Sequence, residues 1–224
     1  MAKSVTILMC AVLALAGGEG RADAADFYAG KTITMSTHAS PGGGYDTYLR
    51  LFAAHLGKHV PGGPRVIVVN QPGAGGLTAI NYAGRVAPKD GTFLTLASQG
   101  ILFQQATGGQ GLQVSLDDFQ WIGNFVKSND VIVTWYTSKV KTVADAKTRE
   151  SILGTTGTGA VSDQLPLLFN ALVGTRFKLV RGYEGASQMN LAMERGEIDG
   201  RGANMWASYK VTNPNEILIG RAHV

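Results

Sequence analysis

Residues 31–60 read "KTITMSTHASPGGGYDTYLRLFAAHLGKHV", and how this stretch divides decides the fold. "TITMST" (32–37) is rich in β-branched residues and predicts a strand. "YLRLFAAHLGKHV" (48–60) carries Leu49, Phe52, Ala53 and Leu56 at helical spacing and predicts a helix. Between them, "SPGGGYD" (40–46) places three consecutive glycines where strand hands over to helix. Glycine permits positive φ and close backbone approach, so this loop is either a tight turn or a cradle for something small.

The same unit recurs along the chain. "RVIVVN" (65–70) predicts a buried strand, followed by "QPGAGG" and a helix over "LTAINYAGRVA" (77–87). "TFLTLAS" (92–98) is a third strand after the turn "PKDG". Beyond the extended segments "WIGNF" (121–125) and "VIVTWY" (131–136), the pattern starts again. "TVADAK" opens a helix, "SILGTT" a strand, and "GTGAVSD" a second glycine-rich loop. "QLPLLFNALVG" (164–174) is a helix stopped by Gly174, "FKLVRGY" (177–183) a strand, and "ASQMNLAMERGE" (186–197) a helix ended by Gly196. Alternating strands and helices predict an α/β fold with mainly parallel sheets, arranged as two lobes. Ligands of open α/β sheets sit beyond the carboxyl ends of the strands. That rule puts "SPGGGYD", "QPGAGG", "ASQG" and "TTGTGAVSD" on one rim.

Composition bounds the function. Residues 1–24 have the layout of a secretory signal peptide: Lys3, an apolar run, then Ala22-Asp23-Ala24 as a cleavage site. The charges removed with this segment cancel, so the formal net charge stays at +4. The single cysteine, Cys10, goes with it, so the exported chain must rely on its hydrophobic core instead of disulfides. Lysine and arginine form no block and do not interleave with aromatics, which argues against nucleic acid.

Catalytic patterns are lacking. No G-x-x-x-x-G-K-[ST] phosphate loop occurs, and Gly157-Thr158-Gly159-Ala160-Val161-Ser162 lacks the last glycine of a dinucleotide fingerprint. There is no G-x-S-x-G elbow. His55 and His59 share i, i+4 spacing but have no Glu or Cys beside them, and they read as a helix end. Glu194, Glu197 and Asp199 surround Arg195 at another helix end and read as a solvated, partly paired face. The chain therefore reads as a binder without metal or cofactor. Glycine-rich loops at helix N-termini would present several N–H groups to a carboxylate or phosphate, reinforced by the helix dipole.

The combination of "SPGGGYD", "VIVVNQPGAGGLTAINYAGRVAPKDGTFL", "WIGNF", "GTTGTGAVSDQLPLLFNALVGTRFKLVRGYEGASQMNLAMERGEIDGRG" and "MWAS" resembles the substrate-binding proteins of tripartite tricarboxylate transporters, the Bug or TctC-like family. It implies a type II periplasmic-binding-protein fold, with lobe I over residues 25–126 and lobe II over residues 127–218. It further implies a monomeric periplasmic receptor that takes a small organic carboxylate to membrane subunits of such a transporter. The site residues it implies are Pro41, Gly42, Gly43, Gly44, Tyr45 and Asp46, the turn of Gly73, Ala74 and Gly75, and Ser98 and Gln99. From the second lobe it adds Thr156, Gly157, Thr158, Gly159 and Asp163. Backbone amides of 42–44 and 157–159 would hold carboxylate oxygens, with Thr156 and Thr158 as hydroxyl donors and Tyr45 as an apolar wall. Asp46 would cap the helix that begins there or meet a ligand amine or hydroxyl, and Asp163 would cap the second helix in the same way. The departure from the family is at the C-terminus. Members carry a further segment completing the first lobe, which implies a truncated read with a non-native tail at 219–224. Two rival functions remain open: a secreted α/β hydrolase or transferase, and a ligand-sensing adaptor for a signalling partner.

Overall fold

A computed structural model of the protein describes residues 27–127, 129–207 and 209. The expected signal peptide (1–24) and tail (219–224) lie outside the described residues. In chain order the first half contains β1 (Thr32–Thr37), α1 (Gly44–Leu56), β2 (Arg65–Asn70), a 3-10 turn (Ala74–Gly76), α2 (Leu77–Arg85), β3 (Phe93–Leu96) and α3 (Gln99–Ala106). A second 3-10 turn (Leu116–Asp118) leads into β4 (Asp130–Thr134), α4 (Val143–Thr148) and β5 (Glu150–Thr155). Then come α5 (Val161–Val173), β6 (Arg176–Arg181), α6 (Ala186–Glu194) and β7 (Gly200–Met205).

Two sheets result. The first has the order β2-β1-β3 with both pairings parallel. The second has the order β4-β7-β5-β6; β5 runs parallel to both neighbours and β4 antiparallel to β7. β1 and β5 are the equivalent inner strands and share one burial pattern, exposed only at the first residue and buried over the last three. The crossover helices hold the lobes' cores. Leu49 of α1 packs on Ile33 and Met35 of β1. Leu77 and Ile80 of α2 meet Ile101 of α3 and Leu116. Met189, Ala192 and Met193 of α6 meet Ile198. Each such side chain contributes about 1.5–3 kcal/mol of transfer free energy when buried. The helical stripe expected on α1 is narrower than its spacing suggests. Leu49 is fully buried, whereas Phe52 is exposed and stacks on Phe125 at 4.6 Å.

Local signals set several ends. Thr142 and Asp145 form a reciprocal capping box at the start of α4. Gly174 closes α5 in the left-handed conformation, φ 79°. Two elements are not legible in the sequence: α3, and β7, "GRGANM", which has two glycines and no β-branched residue. β7 nevertheless lies inside its sheet. Its glycines answer to packing: Pro166 gives α5 no N–H for the Ser162 carbonyl, and that carbonyl sits so close to Gly202 that a Cβ there would lie 1.8 Å from it.

Gly202→Ala therefore has to push α5 off β7. We expect a loss of roughly 1–3 kcal/mol in urea unfolding; an unchanged midpoint would show that the helix can shift at no cost.

Candidate ligand-binding site

The two lobes enclose a cleft at the carboxyl ends of their strands, with about 660 Å³ of non-protein space, part of it open to solvent. Four strand-to-helix junctions build its walls. The β1–α1 loop supplies His38, Ala39, Ser40, Gly43, Gly44 and Tyr45; the β2–α2 loop supplies Gly73, Gly75 and Gly76. Thr156 follows β5, and Glu184, Gly185 and Ala186 lie between β6 and α6. Asp130 at the start of β4, with Asn204 and Met205 at the end of β7, forms the floor between the lobes. Three helices thus begin at the cleft: α1 with Gly43 as N-cap, α2 with Gly76, and α6 with Gly185. None of the three N-caps bonds its helix through a side chain. The first N–H groups of a helix have no partner within it, so these ends gather donors and partial positive charge around one space.

The lobes touch beside the cleft, backbone to backbone. The Gly75 N–H donates to the Thr156 carbonyl at 3.1 Å, and Gln164 Nε2 donates to the Gly100 carbonyl at 3.1 Å. Gly75 has φ 68°, and a Cβ on it would lie 2.4 Å from the Ala160 nitrogen. Any other residue would both strain the turn and part the lobes.

The predicted site residues divide accordingly. Gly43, Gly44, Tyr45, Gly73, Gly75 and Thr156 line the cleft. Ala74, Gly157 and Gly159 lie in the contact between lobes, where Gly157 and Gly159 approach the Ala74 backbone. Thr158 offers its carbonyl to Gln164, at 3.4 Å. Ser98 is buried beneath Gly76, and Gln99 reaches the Tyr45 hydroxyl through its backbone. Pro41 and Gly42 are exposed at the turn's outer edge.

Neither aspartate faces the cleft or serves as N-cap; both occupy the third helical position. Asp46 is 2% exposed and accepts from the Gly42 N–H (2.9 Å), Arg50 Nε (3.0 and 2.9 Å) and Asn70 Nδ2 (2.7 Å). Asp163, also 2% exposed, accepts from the Thr155 hydroxyl (3.1 Å) and Arg181 (2.6 and 3.2 Å). The correspondence extends to the strand ends: Thr37 Oγ1 accepts the Ala39 N–H and Thr155 Oγ1 the Gly157 N–H, both at 3.3 Å. One device thus anchors both loops, a hydroxyl on the strand and a paired carboxylate on the helix.

His38, Asp130, Glu184, Gly185 and Asn204 are among the wall residues that sequence reasoning missed. "GYEGASQ" repeats the strand–glycine–helix pattern and could have signalled Gly185; Asp130 carries no local signal. Burial pushes His38 down to about 4, against an opposing bond with the Leu96 backbone, so the imidazole is neutral. It meets Tyr45 edge-on at 4.5 Å. Tyr45 is pushed up to about 12, first by burial and then by the Asp130 charge, which together outweigh the bond from the Gln99 backbone. The Glu184 carboxylate is held by Gln188, at 3.2 Å. Asp199 ties β5 from outside the cleft, accepting the Ile152 N–H at 2.8 Å.

No protein-family model matches the chain. The chain is a homologue of the UPF0065 (Bug-family) protein of the TAR-I ttuE-ttuC' intergenic region of Agrobacterium vitis, 34% identical over 185 residues. The match covers 80% of this chain and 52% of the relative, so the chain spans about half of that relative's length. Among solved structures, MatC from Rhodopseudomonas palustris with bound malate has a TM-score of 0.72 at 21% identity, covering 83% of this chain and 64% of MatC. The periplasmic binding protein BugD has a TM-score of 0.66 at 18% identity, covering 83% and 62%. These likenesses show an α/β periplasmic-binding-protein fold with mainly parallel sheets.

For Asp46, burial alone would raise the pKa, but the bonds from Arg50, Asn70 and Gly42 outweigh it and hold the carboxyl below its ordinary 3.8. A lowered folded-state pKa stabilises the fold above the unfolded value and ceases to do so as pH falls through the folded value. Arg50 is half exposed, which screens part of the ion pair. We expect Asp46→Asn to cost roughly 1–3 kcal/mol in urea unfolding at pH 7, with the deficit shrinking toward zero below pH 3.8. An equal deficit at both ends of that range would contradict the electrostatic origin.

Proposed function

We propose that this Bug-family homologue is a periplasmic solute receptor. In this reading it binds a small organic carboxylate between its lobes and delivers it to membrane subunits of a tripartite tricarboxylate-type transporter. The observation that carries the reading is the convergence of the α1, α2 and α6 N-termini on one cleft. Amide donors and helix dipoles bind an anion without a lysine or arginine at the site. The fold shared with MatC, bound to malate, and with BugD supports the receptor role.

The mechanism follows from the walls. The N–H groups of Gly44 and Tyr45 from lobe I, with those of Gly185 and Ala186 from lobe II, hold carboxylate oxygens. Thr156 adds a hydroxyl, and the Tyr45 ring, fixed by His38, sets the width of the cleft. Closure excludes water, which strengthens each N–H···O contact in the lower local dielectric. Lobe separation breaks the Gly75–Thr156 and Gln164–Gly100 bonds and releases the ligand.

The test is thermal unfolding of the protein expressed from its own gene, against a broad panel of organic acids. Ligand at about 100 times Kd stabilises by about 2.7 kcal/mol, a rise of several degrees. No rise with any acid sinks the reading. A second test deletes one donor. Gly44 is the first residue of α1, and Gly43 before it is extended (φ −73°, ψ 163°), so proline fits there without breaking the helix. Gly44→Pro is expected to weaken acid binding by about tenfold or more while leaving the unfolding temperature of the free protein within a few degrees.

A further inference from the structure

The cleft wall carries an acid as well as amide donors, and the acid restricts the ligand. Among the residues that line the cleft with the helix N-termini is Asp130, where β4 starts in register with Met205 of β7 and where its charge acts on Tyr45. Among the described residues, the two buried carboxylates, Asp46 and Asp163, each bind an arginine. Asp130 is partly buried in the cleft wall, and among the described residues its carboxylate has neither an ion-pair partner nor a hydrogen-bond donor. Burial accordingly raises its pKa. The other acid on the wall, Glu184, is exposed and engaged by Gln188.

His38 points the same way. Its imidazole is neutral and engages the Leu96 backbone, while Nδ1 is buried with no hydrogen-bond partner among the described residues. A neutral imidazole that donates through one nitrogen offers the other as an acceptor. The cleft therefore combines amide donors from the helix ends with one unpaired carboxylate, Asp130, beside a neutral His38 that supplies no cation to it.

A partly buried carboxylate without a cation is costly, and a bound cation removes that cost. A second anionic group on the ligand would instead face like charge across a short distance. We propose that Asp130 is the specificity-determining residue of the cleft and that the ligand is a small amino acid, its carboxylate on the glycine-rich helix ends and its ammonium on Asp130. This rests on the carboxylate-receptor reading above and narrows it from organic acids in general to those bearing an ammonium group.

The experiment measures calorimetric affinities for acid pairs that differ only in the amino group: aspartate and succinate, glutamate and glutarate, leucine and 4-methylpentanoate. The wild-type protein is expected to bind the amino member of at least one pair about tenfold or more tightly. Asp130→Asn should abolish that preference, weakening the amino member about tenfold or more and binding succinate and glutarate no more weakly than the wild type does. Asp130→Ser gives the same comparison should the asparagine variant fold poorly. Equal or tighter binding of the deaminated acids by the wild type overturns the inference and leaves the carboxylate reading standing. Retention of the amino preference in both variants overturns the role of Asp130. Absence of binding by every acid overturns both readings.

Discussion

At Gly75 the backbone of one lobe meets the backbone of the other, with no side chain between the Gly75 N–H and the Thr156 carbonyl. The rest of the cleft depends on that approach. Ala74, Gly75 and Gly100 on one side meet Gly157, Gly159 and Ala160 on the other at distances that leave no room for a Cβ. Because the contact is made by main chain, the separation of the walls is set by peptide geometry and not by rotamers. Glycine-rich loops have two jobs here. Some, at Gly43 and Gly185, open the helix ends to the cleft, while those at Gly75 and Gly157 let the lobes close.

An internal correspondence underlies the arrangement. β1–α1 and β5–α5 are the same unit: an inner strand ending in a buried threonine, a glycine-rich loop, and a helix with a buried aspartate at its third position. The arginine that satisfies the aspartate comes from different places. Arg50 sits one turn further along α1, whereas Arg181 arrives from the end of β6. A carboxylate buried so deeply tolerates only a charged partner with good geometry, and both solutions supply one. The two units then diverge in use. The first faces the cleft, and the second presses against the first lobe and leaves the α6 end to line the cleft.

The wall is consequently uneven in charge. Donors come from backbone, which is fixed by helix position, while the unpaired acceptor comes from a side chain at the floor, Asp130. Shape and charge are thus held by separate parts of the chain. The helix ends define where an anion can sit, and the floor defines what else the same molecule must carry.

Much of the architecture is legible in residues 31–60 and their repetitions. β-branched runs, helical spacing and glycine punctuation are local properties; they give β1 and β2 to the residue, β5, β6 and α5 to within one to three residues, and an α/β fold with mainly parallel sheets. Local signals do not give β7, because "GRGANM" is held as a strand by β4 and β5 and needs glycine only where the Ser162 carbonyl approaches. The glycine loops show in sequence that backbone is exposed at helix starts. Whether a loop faces the cleft or the other lobe is decided by how the sheets are docked, a long-range matter with no local periodicity. Asp46 and Asp163 illustrate the same limit. The sequence alone determined that an acid stands near each helix start; only the tertiary structure, by bringing Asn70 and Arg181 alongside, decided that these acids are satisfied internally and that Asp130 is not.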